Sequence, residues 1–249
     1  MVLLENQAPS DPFELEKSTP FSVKYGSPFE ADRGFIPVQS NRLDAVEIRG
    51  TEVRMLKQFK VNRDKLQLKL LRTTAHENIV NLQEVFLEDD QISFIYDEWG
   101  IPLEKICRQL YLGEVEVATI CKNILAGLTY LHNDIGIAHG AIDLDNIHLM
   151  PDGGIKIANI GNCFVHQLDP CQQDQDILAV CCMTRVLLGP TGHLGTRGIY
   201  SCLLDDFLEP RTAVNATDLL KHPFLNFASG KWSLRIVREL YLVLECLDS

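Results

Sequence analysis

Apolar positions come first in short runs and later at helical spacing. Strand-like runs near Asp44–Ile48 and Glu52–Phe59 flank Arg49-Gly50-Thr51, a stretch suited to a hairpin turn. Val61–Thr73 reads as a helix, with Leu66, Leu70 and Leu71 toward one face. Two more strands follow, near Val80–Leu87 and Gln91–Asp97, joined across the acidic tip Glu88-Asp89-Asp90. After Gly100 the pattern becomes helical, over Pro102–Leu110 and Val115–Asn133. The second of these carries a stripe of Ile120, Ile124, Leu128 and Leu131. An irregular segment, Ala138–Asn146, precedes two short strands, Ile147–Met150 and Ile155–Ala158, with Asp152-Gly153-Gly154 turning between them. Asp176–Leu188 is apolar enough to predict a central helix, and Ala216–Lys221 and Trp232–Cys246 supply two more. Strands with one helix, then mostly helices, predict an α+β fold with two lobes. We place the small lobe at 31–98 and the larger helical lobe at 99–249. Residues 1–30, rich in Ser, Pro and acids without a sustained period, read as a loosely ordered arm.

Composition narrows the partners. The 249 residues are 46% apolar, enough for a real core, and 34 acidic against 23 basic residues leave a net charge of −11. That charge repels phosphate backbones and argues against nucleic acid. No run of 18 apolar residues is present, so no membrane span is expected. The start, Met-Val-Leu-Leu-Glu-Asn, lacks the features of a secretory signal, so the expected location is cytoplasmic, or else nuclear. The eight cysteines form no C-x-x-C pair. Cys181 and Cys182, adjacent in an apolar helical stretch, read as small core hydrophobes, and no metal site is expected.

The irregular segment carries the candidate chemistry. Tyr130-Leu131-His132 and then His139-Gly140-Ala141-Ile142-Asp143-Leu144-Asp145-Asn146 resemble the catalytic loop of protein kinases, H-R-D-x-K-x-x-N. Asn159-Ile160-Gly161 stands where that family carries D-F-G at a strand end. His76-Glu77-Asn78-Ile79-Val80 is similar to the H-P-N-I-V segment, Asp176-Ile177-Leu178-Ala179 to the D-I-W-S helix start, and Leu219-Leu220-Lys221-His222-Pro223-Phe224 to the L-L-x-H-P-F ending. Five collinear segments make a specific resemblance where one would be weak. Glu52–Gln58 and Gly161-Asn162-Cys163 add a fainter likeness to the PAK group of Ser/Thr kinases. The resemblance implies a two-lobed protein-kinase-like fold, with His139, Asn146, Gly161 and Asp176 bracing the large lobe and Ile160 packing as the D-F-G Phe does.

It also makes the departures informative. Ala141 occupies the place of the Asp that accepts the substrate hydroxyl's proton, a contribution typically worth ~10²–10⁴-fold. Asp143 replaces a Lys that would balance the transferring phosphate, which reverses the sign of the interaction. Asn159 offers magnesium a neutral carbonyl in place of an Asp, while Asn146 keeps the second metal-ligand position. No glycine-rich loop lies between Gly26 and Gly50, where only Gly34 intervenes. Lys57 is the best match to the V-A-I-K lysine, but its partner Glu position falls on Gln67. Met55 stands for the small Ala that touches adenine, Tyr96 for the gatekeeper, and Trp99 for a residue of the hinge Asp97-Glu98-Trp99. Only 14 residues separate Gly161 from Asp176, so the activation segment is nearly absent. The Arg before the final helix falls on Ala213, with Arg211 nearby.

These features predict a pseudokinase that scaffolds or regulates a protein partner, an active kinase among the candidates. Its vestigial nucleotide site would comprise Lys57, Asn146, Met55, Tyr96 and Trp99, without a required cofactor and with ATP and magnesium at best weak. Two other readings stay open. One is a divergent kinase or ATP-binding protein using Lys57, Asn146, Asp143 and Asp145. The other is a degenerate product that folds poorly. The last helix is the first candidate for a docking surface.

Overall fold

The computed structural model describes residues 23–29, 34–37, 44–49, 52–61, 74–96, 100–166, 172–189, 199–209 and 215–247. The helix expected at 62–73 with Gln67, the hinge at 97–99 with Trp99, and Arg211 and Ala213 lie outside these residues.

The small lobe is a six-stranded sheet in the order β1-β5-β6-β4-β3-β2. Its strands are β1 (Val23–Tyr25), β2 (Phe35–Pro37), β3 (Asp44–Arg49), β4 (Glu52–Lys60), β5 (Leu82–Glu88) and β6 (Gln91–Tyr96). β6 is apolar on both faces, and Ile92, Phe94, Ile95 and Tyr96 are all buried, which fits an interior strand. It pairs antiparallel with β5 across a turn in which Asp89 takes φ +33°, a region Asp tolerates better than most residues. The reading of residues 1–30 as a loose arm needs correcting at its C-terminal end. β1 lies parallel to β5, Val23 opposite Val85 and Tyr25 opposite Leu87, so it adds an edge strand to the sheet. Three residues between polar neighbours gave no period to read.

The large lobe is built around α2 (Glu114–Thr129), which buries Val117, Ile120, Ile124, Leu125 and Leu128, the stripe its period predicts. The expected continuation to Asn133 is a π-helical turn, Tyr130–Ile135, closed by Gly136 at φ +81°. Before α2 come β7 (Ile101–Pro102) and α1 (Leu103–Gln109); after it β8 (Ile147–Leu149) and β9 (Ile155–Ile157) complete a three-stranded sheet, β7-β8-β9. The chain continues through α3 (Gly161–His166), α4 (Gln173–Leu188), α5 (Ile199–Leu208), α6 (Ala216–Leu219), a 3-10 turn at Pro223–Phe227, and α7 (Lys231–Leu247). α3 and α5 were not anticipated. Each is a short apolar segment in which strand and helix periods cannot be told apart. No helix among the described residues is long and apolar enough to cross a membrane.

The lobes meet along β9. Ile79 bridges Ile157, the Val80 amide donates to the Ile157 carbonyl at 2.9 Å, and the Ile157 amide donates to the Asn78 carbonyl at 2.8 Å. The Asn78 side-chain amide donates to the Ile155 carbonyl at 3.0 Å and to Asn123 Oδ1 on α2 at 2.7 Å, so one polar side chain ties the segment before β5 to both. Buried and fully used in this way, Asn78 fixes the register in which the small lobe sits on the large one.

Candidate functional site

The irregular segment Ala138–Asn146 is held from below by one carboxylate. Asp176, in the first turn of α4 and 1% exposed, accepts the His139 amide at 2.7 Å and the Gly140 amide at 2.7 Å. It also accepts His132 Nε2 at 2.9 Å. A buried carboxylate is tolerable because three donors surround it. Gly140 takes φ +72°, a turn that lets both amides face the same group. His139 is wholly buried, and its Nε2–H donates to the Ala158 carbonyl at 2.9 Å, which fixes the tautomer and links the loop to the end of β9. Burial also lowers the His139 pKa, opposed by the negative charge of Asp176, so the ring is held neutral.

The top of the loop closes on itself. The Asn146 amide donates to Asp143 Oδ1 at 2.9 Å, and Asn146 Nδ2 donates to Asp143 Oδ2 at 3.2 Å and to the Ala141 carbonyl at 3.1 Å. Both Asp143 oxygens are therefore turned inward on Asn146. Ala141 contributes a backbone carbonyl and a methyl group.

Above this loop, two residues past the end of β9, stands Asn159, whose backbone sits at φ +64°. Asn is one of the few residues that enters this region readily. Its Oδ1 is buried and has no hydrogen-bond partner in the protein. Ile160 is fully buried. The Gly161 amide donates to the Tyr96 hydroxyl at 3.0 Å, joining β6 of the small lobe to the start of α3. A Cβ on Gly161 would come within 2.5 Å of Phe94 and 2.6 Å of the Tyr96 hydroxyl, so only glycine fits beneath those rings. α3 takes up the first residues of the short stretch from Gly161 to Asp176, where a kinase would extend its activation segment.

On the small-lobe side, Met55 in β4 is 3% exposed and pairs with Val46 on one flank and Tyr96 on the other. Lys57, two residues on, is half-buried and in register with Asp44 and Phe94. His148 of β8 was not singled out from the sequence, though a His among the apolar residues of a strand was a readable signal. It is 1% exposed, its Nε2 donates to the Asp145 carbonyl at 3.2 Å, and its pKa falls to about 4. Burial is the main cause and the positive charge of Lys57 the second, which brings Lys57 into electrostatic reach of the large lobe.

Residues 45–191, well over half of the chain, match the family described as the protein kinase domain. The chain belongs to the protein kinase domain family. Serine/threonine-protein kinase PAK 5 of Rattus norvegicus is 33% identical over 95 residues, which cover 38% of this chain and 13% of that protein. Serine/threonine-protein kinase shk1/pak1 of Schizosaccharomyces pombe is 33% identical over 108 residues, 43% of this chain and 16% of that protein. Cyclin-dependent kinase F-3 of Oryza sativa subsp. japonica is 35% identical over 97 residues, 38% of this chain and 22% of that protein. The chain thus spans about an eighth to a fifth of the length of these relatives, and the likeness to PAK-type Ser/Thr kinases holds for the domain. Within this kinase fold, Ala141, Asp143, Asn146 and Asn159 come together at the loop and the end of β9. Met55 and Lys57 belong to β4 and Tyr96 to β6 of the small-lobe sheet, Tyr96 being the one tied to Gly161, and Trp99 lies outside the described residues.

Proposed function

We propose that this kinase domain is a pseudokinase that acts by binding a protein partner and transfers no phosphate. The observation that carries the reading is the closed loop at Ala141, Asp143 and Asn146. The spacing of the kinase loop motif from His139 to Asn146 is kept, yet nothing at Ala141 can accept a hydroxyl proton. Asp143, which stands where the family has a Lys, turns both oxygens toward Asn146. A general base is typically worth ~10²–10⁴-fold, and here its position is a methyl group.

The remaining donors fit a magnesium ion poorly. The metal prefers several carboxylate and phosphate oxygens in octahedral array. Asn159 Oδ1 is a single neutral carbonyl, and the Asn146 side chain, turned by its Nδ2 onto the Ala141 carbonyl, has only one neutral oxygen to add. Met55 on the small-lobe side and Tyr96 tied to Gly161 add bulk where the family places small or movable groups. Fold supports that persist while the chemistry is erased favour a role in recognition, with an active kinase as one partner class. The reading places the protein in the cytoplasm, or else the nucleus.

A thermal-shift titration with ATP, with and without magnesium, tests the reading. A ligand at 100 times its dissociation constant adds about 2.7 kcal/mol, which for a domain of this size is a rise of roughly 5–10 °C in Tm. A single sharp transition that ATP does not move is the expected result. A magnesium-dependent rise that disappears in Lys57→Met favours the divergent kinase instead.

A further inference from the structure

α7 has two faces of different character. One docks on the large lobe through Leu234 and Tyr241, while Lys231 pairs with Asp152 at 2.9 Å and Gln109 of α1 donates to Glu245 at 2.7 Å. The other face carries Trp232, Ile236, Leu240, Val243 and Leu247, all more than half exposed, with Trp232 at 66% and Leu247 at 76%. On an α-helix these positions form one outward stripe. Trp232, Ile236, Leu240 and Val243 line a shallow apolar groove of about 430 Å³, flanked by Arg235 and Glu239. A contiguous apolar stripe of this length, rimmed by charge, is what a protein–protein contact presents to solvent.

The spacing and the rim select the partner. Trp232, Ile236 and Leu240 form an i, i+4 ridge, and such ridges interdigitate with copies of themselves. The stripe is nearly palindromic about the midpoint of residues 237 and 238. When a second α7 is laid antiparallel across it, Trp232 falls opposite Val243 and Ile236 within one residue of Leu240, each contact occurring twice. The same placement brings Arg235 of one copy within one residue of Glu239 of the other, again twice, as an isologous interface requires, where Glu239 already pairs with Arg238 of its own chain at 3.2 Å. Opposed helix dipoles favour the antiparallel choice as well.

We infer that the exposed face of α7 is a homodimer interface, in which two copies pack antiparallel through the Trp232–Val243 stripe with reciprocal Arg235–Glu239 pairs. The inference does not depend on whether the cleft admits a nucleotide. Light scattering on the full chain across a range of concentrations tests it. The mass should rise from 28.1 kDa toward twice that value as protein concentration increases. Ile236→Asp with Leu240→Asp should hold it at one chain, with an unchanged circular-dichroism spectrum and melting transition. Arg235→Glu and Glu239→Arg should each weaken dimerisation by about tenfold or more, since like charges then face each other, and the double exchange should restore it. A chain that is monomeric at every concentration overturns the inference, and so does a dimer that survives Ile236→Asp with Leu240→Asp. A double exchange that fails to rescue overturns the antiparallel register.

Discussion

Removing the Asp176 carboxylate isolates the bracing of the loop from everything around it. In Asp176→Ala, the His139 and Gly140 amides lose acceptors at 2.7 Å, and His132 loses one at 2.9 Å, in a place the solvent does not reach. Each buried donor left unsatisfied costs roughly 1–3 kcal/mol. Because the three donors share one acceptor, their costs overlap, and a loss of about 4 kcal/mol is the reasonable expectation. For a domain of this length that is a fall of roughly 8–16 °C in Tm. Asp176→Asn keeps the shape and one acceptor oxygen but turns an NH₂ toward a donor, so it should fall between the alanine variant and the parent chain. Asp174→Ala, an exposed carboxylate on the same helix, is the control, expected within about 0.5 kcal/mol of the parent. Differential scanning calorimetry reads all three. If Asp176→Ala melts within 2 °C of the parent while Asp174→Ala does the same, the brace contributes nothing and the reasoning is refuted.

Three further outcomes follow from the same geometry. The His148 pKa of about 4 lies below its value of 6.5 in an unfolded chain, so between these pH values the unfolded state binds the extra proton and stability falls as pH drops. About 2 kcal/mol should be lost between pH 7.5 and pH 5 from this group, and urea melts of His148→Leu should show a correspondingly flatter profile. Gly153 sits at φ +86°, and a Cβ there would meet the Lys231 carbonyl at 2.1 Å. Gly153→Ala should therefore cost at least about 2 kcal/mol and loosen the first turn of α7, measured by amide exchange at residues 231–235. Among the cysteines, burial pushes the Cys121 thiol up to about 12 and raises Cys163 as well, whereas Cys182, Cys202 and Cys246 are exposed. Brief alkylation of the native protein followed by mass spectrometry should label the exposed three and spare Cys121 and Cys163.

Long periodic elements were legible in the sequence, and elements set by three or four residues were not. α2, α4 and α7 follow from apolar spacing sustained over sixteen or seventeen residues, and the β5–β6 and β8–β9 hairpins from acidic or glycine turns between apolar runs. β1 escaped because a three-residue edge strand owes its existence to backbone pairing with β5, which leaves no mark on composition. α3 and α5 were hidden for a different reason, since their apolar residues suit either period. At the site, the positions of Ala141, Asp143, Asn146 and Asn159 could be read from motif order. The use made of Asp143 could not. Its turn toward Asn146 is a local hydrogen-bond choice that a charge count does not reveal. The tie from Tyr96 to Gly161 and the depressed basicity of His148 both arise between residues more than sixty positions apart, or across the lobes, and only the packed chain brings them together.

The central claim is that this kinase domain has kept its frame and given up transfer. Incubation of the purified chain with γ-labelled ATP and magnesium, alone and with a basic protein acceptor, tests that claim most directly. We predict no incorporation above the protein-free blank, either into the chain itself or into the acceptor. Magnesium-dependent incorporation that vanishes in Lys57→Met would contradict it, because the label would then be passing through the cleft that Ala141, Asp143 and Asn159 are held to have silenced.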